Sequence, residues 1–97
     1  MRIIAVAALR RFWQKHPLAE IPLRVWYAEA RRARWGRPAD VKADRRNVSI
    51  LANNRVVFNI KGNTDGLVVA MRYDKQIMLI RFVGTHAEYD RIDATTV

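Results

Sequence analysis

Cysteine is absent from the chain, which excludes disulfide bonds, thiolate nucleophiles and cysteine metal sites. Histidine is scarce, and the two that occur, His16 and His86, argue against a zinc site held by the protein. Ser49 is the one serine and lies in no Gly-x-Ser-x-Gly elbow, which argues against a serine nucleophile. The few glycines match no nucleotide-binding fingerprint, so we expect neither a metal nor another cofactor.

Long apolar runs are also missing. Arg10 and Arg11 interrupt the opening run MRIIAVAAL after about eight residues, which is too short for a signal peptide. No stretch reaches the ~18–20 apolar residues of a membrane span. We therefore expect a cytoplasmic protein that does not associate with membranes.

Acidic residues are few relative to basic ones. Eighteen Lys and Arg stand against nine Asp and Glu, which gives a net charge of +9. The excess is concentrated in residues 1–46, with a net charge of +8, whereas residues 47–97 carry +1. Such a balance favours a polyanionic partner, which can be nucleic acid, an acidic protein or an anionic membrane.

The 97 residues suit a single folded domain, because 51% are hydrophobic and 28% are charged. A helical pattern covers Ala5 to His16 and ends before Pro17, since the residue before proline avoids the α region. A second helix is predicted from about Leu18 to Arg34, with an alternative start near Glu20 because Pro22 fits only in the first turn. The stretch from Ala39 to Ala52 gives no clear prediction.

The second half of the sequence reads as β structure. Three strands are predicted at Arg55–Lys61, Leu67–Tyr73 and Gln76–Val83, with a possible fourth at Arg2–Ile4. Residues 62–66, in which Asp65-Gly66 can supply positive φ, and Asp74-Lys75 are predicted to be hairpin links. The third strand is predicted to be central because it is nearly all apolar. A helical turn is expected within residues 86–93. The fold class is thus α+β, with two N-terminal helices on one face of a small, twisted antiparallel sheet.

One cluster of residues just beyond the third strand can carry proton chemistry. His86, Tyr89 and Asp90 lie close together in the sequence, and a histidine beside a carboxylate exchanges protons near neutral pH. The alternative is a capping turn with a solvated histidine and a tyrosine ring on the sheet.

Several cations can bind a phosphate backbone. Lys61 ends the first long strand and Arg81 lies in the third. The arginines of the second helix and of residues 37–46, which include Arg45 and Arg46, can contact RNA phosphates. They can equally form the surface on which an acidic partner docks.

The chain resembles the HigB-type toxins of the RelE/ParE superfamily, the small basic toxins of bacterial type II toxin–antitoxin pairs. The most specific phrases are FNIKGN at 58–63 and RFVGTHAEYD at 81–90. Further matches lie at Leu9, Phe12-Trp13, His16-Pro17, Leu23, Trp26-Tyr27 and the run NVSIL at 47–51.

This resemblance implies a RelE-like fold and an activity. Such toxins are mRNA interferases that enter the decoding site of the small ribosomal subunit and cut the translated message. The ribose 2′-hydroxyl attacks the neighbouring phosphate, so no metal is needed. The partner implied is a HigA-like helix-turn-helix antitoxin from the same operon, which holds the toxin inactive.

The resemblance also implies roles for individual residues. Lys61 matches the lysine of the sheet that contacts RNA, His86 matches the general acid–base group, and Tyr89 and Asp90 match its neighbours. The RNA-binding residues expected are Arg81, Arg55, Arg45 and Arg46.

One departure from the family pattern bears on activity. After Gly-Asn the family has a variable residue and then Tyr-Arg-Leu-Val-Val, whereas this chain has Asp65-Gly66 in place of Tyr-Arg. The missing arginine resembles the one that clamps the scissile phosphate, and losing such a group costs on the order of 10²–10³ in rate. Two hypotheses stay open. The chain is either an attenuated endoribonuclease or a catalytically inactive module that binds the antitoxin and tunes operon repression. A gyrase poison is disfavoured, because the ending GTH-x2-YD is typical of the interferase branch.

Overall fold

The computed structural model describes residues 1–62 and 64–97, and Asn63, which closes the FNIKGN phrase, lies outside them. The helices are α1 (Val6–Lys15), α2 (Glu20–Arg32), α3 (Pro38–Asp44) and α4 (His86–Tyr89). The strands are β1 (Arg2–Ile4), β2 (Ser49–Leu51), β3 (Arg55–Ile60), β4 (Asp65–Arg72) and β5 (Ile77–Thr85).

The first two helices form as their apolar spacing predicts. In α1, Leu9, Phe12 and Trp13 are buried, and the helix ends at Lys15. His16 before Pro17 has φ −130° and ψ 77°, as the steric demand of proline requires. A single 3-10 turn follows, so α2 begins at Glu20, the later of the two predicted starts, and ends two residues earlier than predicted.

The sheet has the strand order β1-β5-β4-β3-β2. The predicted antiparallel meander of β3, β4 and β5 is confirmed, and β1 adds a strand as expected. The prediction of an antiparallel sheet is wrong for β1, which pairs parallel with β5. A parallel pair needs a long connection, and the helices and three strands between β1 and β5 supply it.

The middle strand of the sheet is β4 and not β5, which corrects the sequence prediction. β4 is buried from Asp65 to Met71, so both of its faces are covered. β5 lies inside the sheet between β1 and β4, but most of its residues are half-buried, Arg81 is exposed, and only Met78 and Gly84 are buried. The apolar run of β5 therefore predicted correctly that this strand is not at the edge of the sheet, but it did not identify the middle strand.

The segment that the sequence left uninterpreted contains a third helix and an edge strand. Pro38 opens α3, where its missing N–H costs nothing, and Val41 is buried beneath it. Trp35 Nε1 donates a hydrogen bond to Asp44 Oδ2 at 2.8 Å, which ties the residues before α3 to the last residue of that helix. Three helices, and not the two predicted, precede the main strands.

Each face of the sheet has its own apolar cluster. The larger one lies under α1, α2 and α3 and includes Val56, Phe58 and Ile60. Val57 points to the opposite face because side chains alternate along a strand. There Val57, Val68 and Ala94 pack with half-buried side chains of the C-terminal residues, so that end of the chain covers the second face.

The link between β3 and β4 differs from the prediction. The left-handed backbone conformation falls on Lys61 and Gly62, with φ 53° and 65°, and not on Asp65-Gly66. Because the turn is completed earlier, Asp65 and Gly66 begin β4 and pair with Ile60 and Asn59. The pair is therefore part of the sheet and not of the hairpin turn.

Helix α4 is a single capped turn. Thr85 accepts from the backbone N–H of Glu88, and the Glu88 carboxylate accepts from the backbone N–H of Thr85, which is a capping box. The helix confirms the predicted turn but ends at Tyr89. Within the described residues, no helix combines the length and apolarity needed to cross a membrane.

Candidate functional site

A cavity of about 290 Å³ opens on the sheet face opposite α1–α3. Its walls come from the start of β2, the end of β3, the start of β4 and α4. The lining residues are Ser49, Val57, Asn59, Asp65, Gly66, His86 and Tyr89. Two of the four predicted catalytic residues, His86 and Tyr89, thus line one pocket, and Asp90 is the next residue along the chain.

His86 is the first residue of α4 and is held by its backbone. Its N–H donates to the carbonyl of Thr64 at 2.9 Å, which fixes α4 against the β3–β4 turn. The imidazole itself is 60% exposed, and its Nδ1 lies 3.5 Å from Asp90 Oδ1 one helical turn later. A carboxylate beside Nδ1 can orient the ring and leaves Nε2 directed elsewhere. This arrangement suits a group that exchanges a proton with a bound ligand.

Tyr89 connects the histidine to β4. Its ring meets the His86 ring edge-to-face with centroids 6.1 Å apart. The same ring covers Gly66, where a β-carbon would lie 3.5 Å from Tyr89 Cδ2. Gly66 therefore forms part of the pocket floor, and its absent side chain is why the tyrosine ring lies directly on the strand.

Lys61 and Asp65 form an ion pair beside the pocket. The Nζ atom of Lys61 is 3.4 Å from Asp65 Oδ2, and the Asp65 side chain is only 2% exposed. Within residues 1–62 and 64–97, that oxygen has no hydrogen-bond partner of good geometry. A buried carboxylate needs compensation, so the lysine balances Asp65 in the free protein. Lys61 lies beside the pocket residue Asp65, and its charge is partly balanced within the chain.

Two polar residues of the pocket were missed by the sequence reasoning. Asn59 is exposed and donates from Nδ2 to the carbonyl of Asn47 at 3.0 Å. Ser49 opposes Val57 across the β2–β3 pair, which brings its hydroxyl to the same face. Asn59 and Ser49 both lie in sequence motifs that support the family resemblance. The sequence did not predict β2 as a strand, so its pairing with β3 could not be predicted either.

Two of the predicted RNA-binding arginines hold the C-terminal residues. Arg55 donates through Nε and Nη2 to the backbone oxygen of Val97 at 3.2 and 2.7 Å. Arg81 donates to the same oxygen at 3.0 Å. Arg81 is the extra residue of a bulge in β5, since Val68 and Val69 pair with Phe82 and Ile80. Neither arginine lines the pocket.

The other two predicted arginines lie near α3. Arg45 follows this helix and forms a 3.0 Å ion pair with Glu29 of α2, so it joins two helices on the far face of the sheet. Arg46 is exposed and precedes Asn47, the residue that accepts from Asn59. The structure thus brings the histidine cluster together but leaves the four arginines outside the pocket.

Titratable groups are too dispersed to form a metal centre. In the part of the chain that is described, no three His, Asp or Glu side chains lie close enough together to hold an ion. The Lys61–Asp65 and His86–Asp90 pairs are the ionic features around the pocket.

Most of the chain matches the model of a known protein family. A family model described as HigB toxin, the RelE-like toxic component of a toxin–antitoxin system, matches residues 19–92. The chain belongs to this family, which confirms the resemblance drawn from its motifs. It is therefore a toxin of a toxin–antitoxin system, with an antitoxin as its partner. No curated protein sequence matches the chain.

Proposed function

We propose that this toxin is a metal-independent endoribonuclease that cuts messenger RNA on the ribosome. The observation that carries the proposal is the exposed His86 imidazole, with Asp90 at 3.5 Å, at the edge of a polar pocket. A histidine with one nitrogen oriented by a carboxylate is the usual group for proton transfer near neutral pH. The HigB toxin family, described as RelE-like, supports the same activity.

The proposed reaction uses the RNA itself as nucleophile. The ribose 2′-oxygen loses its proton to a base and forms a bond to the adjacent phosphorus, while the bond from phosphorus to the 5′-oxygen breaks. The leaving 5′-oxygen takes a proton, and the products are a 2′,3′-cyclic phosphate and a 5′-hydroxyl. His86 exchanges one of these protons, and Asp90 holds its ring in position.

The remaining residues are proposed to bind the RNA. The ring of Tyr89 lines the pocket and can stack on a nucleobase. Lys61 adds positive charge beside the reacting phosphate once RNA competes with Asp65 for it. Arg81, Arg55, Arg45 and Arg46 contribute to the net charge of +9 that attracts ribosomal and messenger RNA.

A second candidate function follows from Asp65 and Gly66. No cation occupies position 66, and the Asp65 carboxylate neutralises Lys61. Both features weaken stabilisation of the phosphate in the transition state. A chain with this pocket can therefore persist as an inactive toxin fold that binds its antitoxin and tunes repression of the operon.

The proposed partners follow from the function. The antitoxin is proposed to be HigA-like, with a helix-turn-helix domain. The site of action is proposed to be the small-subunit decoding site of the bacterial ribosome, which implies a cytoplasmic protein.

Cleavage of a defined message by the purified chain tests this function. We expect cuts only when ribosomes programmed with that message are present, and none with the His86→Gln variant. Cleavage of naked RNA at the same rate overturns the dependence on the ribosome. No cleavage in either reaction overturns the enzyme function and favours the antitoxin-binding module.

A further inference from the structure

The most exposed apolar side chains of the described residues lie on one stripe at the start of α2. Leu18, Ile21 and Val25 are 81%, 74% and 52% exposed. Ile21 and Val25 lie on one side of α2, and Leu18 comes before them in the 3-10 turn that leads into the helix. The opposite side of α2 buries Leu23, Trp26 and Ala30 in the core. We call Leu18, Ile21 and Val25 the α2 stripe.

The stripe is not a by-product of core packing. The three side chains belong to neither apolar cluster of the fold. Exposed apolar residues are common singly, but three adjacent ones mark a contact surface. The next position along this face is Ala28, which is small and exposed.

The charges around the stripe select the partner. Beyond Ala28 a depression of about 330 Å³ is lined by Ala28, Arg31 and Arg32. The nearby acids Glu20 and Glu29 are each paired already, at 2.7 Å with Arg24 and at 3.0 Å with Arg45. The C-terminal end of the stripe is therefore a cationic pocket next to an apolar surface.

We infer that the α2 stripe and its arginine depression form the docking surface for an amphipathic, acidic segment of the antitoxin. Apolar residues of that segment cover Leu18, Ile21 and Val25, and its carboxylates lie against Arg31 and Arg32. A second copy of this chain fits less well, because it brings together two molecules of net charge +9. An RNA partner accounts for the arginines but not for the apolar stripe.

This surface is separate from the candidate active site. The stripe lies on a helix of the layer that packs on one face of the sheet, while the His86 pocket opens on the other face. The inference depends on membership of a toxin–antitoxin family and not on RNA cleavage. The two proposals can therefore fail independently.

The test is the affinity of the full-length toxin for the antitoxin encoded beside it, measured by titration calorimetry. The variant Ile21→Asp with Val25→Asp places acids in the stripe without touching the core. We expect Kd to rise by about 30-fold or more, as when central contacts of an interface are removed. Ala43→Asp on the exposed face of α3 is the matched control and leaves Kd unchanged.

Charge reversal at the other end of the surface gives an independent readout. Arg31→Glu with Arg32→Glu is expected to weaken binding and to reduce its dependence on salt. Thermal unfolding of each variant must match that of the wild type, so that lost binding is not lost folding. A Kd within threefold of the wild type for both double variants overturns the inference.

Self-association is the competing occupant. Sedimentation of the free toxin that shows a dimer, abolished by Ile21→Asp with Val25→Asp while antitoxin affinity is kept, assigns the stripe to a second copy and overturns the inference. A monomeric free toxin whose antitoxin affinity falls with the same variant supports it.

Discussion

The ring of Tyr89 lies on Gly66, 3.5 Å from where a β-carbon would stand on that glycine. This is an ordinary van der Waals distance, so the pocket tolerates a side chain at position 66. Gly66 pairs with Asn59 on one side and with Gly84 on the other, so a long side chain there extends from the floor of the pocket. A β-carbon at position 66 therefore fits, and the rest of a longer side chain has to pass the Tyr89 ring to reach the pocket.

Gly66→Arg is predicted to increase RNA cleavage. A guanidinium at this position can bind the scissile phosphate, and one such group is typically worth on the order of 10²–10³ in rate. The measurement is single-turnover cleavage of a message on programmed ribosomes. Gly66→Gln, which adds length without charge, is the control and is expected to give no gain. Equal rates for Gly66→Arg and Gly66→Gln would show that the charge is not what the site lacks.

His86→Gln is predicted to abolish cleavage while the fold is kept. The imidazole is mostly exposed, so its loss removes proton transfer and not packing. General acid–base groups contribute about 10²–10⁴ in rate. Asp90→Asn is expected to cost less, because that residue positions the ring. A wild-type rate in the His86→Gln protein removes this residue from the mechanism.

Gly84→Ala is predicted to destabilise the protein. A β-carbon there would lie 2.5 Å from Phe82 Cζ and 3.1 Å from Glu88 Oε1, so the ring and α4 must shift. Such overpacking costs about 1–3 kcal/mol in the free energy of unfolding, measured in urea. Gly36→Ala is the control, since its nearest neighbour is Asp40 Oδ2 at 3.5 Å. A Gly84→Ala protein as stable as the control would mean that the Phe82 ring moves freely.

Arg55→Ala is predicted to release the C-terminal residues from the sheet. Two of its N–H groups hold the Val97 oxygen, and Nη1 donates to Asn53 O at 3.0 Å. Charged hydrogen bonds of this kind are worth about 1–3 kcal/mol. Hydrogen exchange at Thr96 and Val97 is expected to accelerate, and less so in Arg81→Ala, which loses one bond. Unchanged hydrogen exchange in both Arg55→Ala and Arg81→Ala would show that these arginines do not hold the C-terminal residues on the sheet.

Acid is predicted to weaken α4 through Glu88. The Thr85 backbone N–H donates to this carboxylate and holds its pKa below the ordinary value of 4.5. The ionised group therefore stabilises the folded state above pH 4.5, and this contribution is lost as pH falls through the lower folded pKa. Urea unfolding at neutral pH and below pH 4.5 measures the loss. Glu88→Gln is expected to show a smaller difference between the two, and an equal difference would contradict the assignment.

Local patterns predicted the parts of the fold that local rules control. The spacing of Val6, Leu9 and Trp13, with Phe12 beside them, predicted α1, and Pro17 predicted its end. Long-range pairing was not visible, because the parallel contact of β1 with β5 joins residues far apart in the chain. Asp65-Gly66 is a favourable turn sequence, but Lys61-Gly62 completes the turn first and leaves that pair to the strand.

The candidate site was predictable to a similar degree. His86, Tyr89 and Asp90 are adjacent in sequence, and a helical turn keeps them together. The positions of the arginine side chains depend on where the C-terminal residues fold. Arg55 and Arg81 both donate to the Val97 oxygen, and no rule of sequence spacing predicts these contacts. To place Asn59 and Ser49 in the pocket, one has to know how the three-residue strand β2 pairs with β3.

The chemical groups at the ends of the cleaved message show most directly whether the 2′-hydroxyl of the RNA is the nucleophile. Attack by the 2′-hydroxyl leaves a 2′,3′-cyclic phosphate on one fragment and a 5′-hydroxyl on the other, and a 2′-deoxy substitution at the scissile position blocks the cut. We expect these ends, and the block by 2′-deoxy substitution, for the wild-type chain on programmed ribosomes. We expect more product from Gly66→Arg. Fragments that carry a 3′-hydroxyl and a 5′-phosphate, or cleavage that survives the 2′-deoxy substitution, would contradict attack by the 2′-hydroxyl.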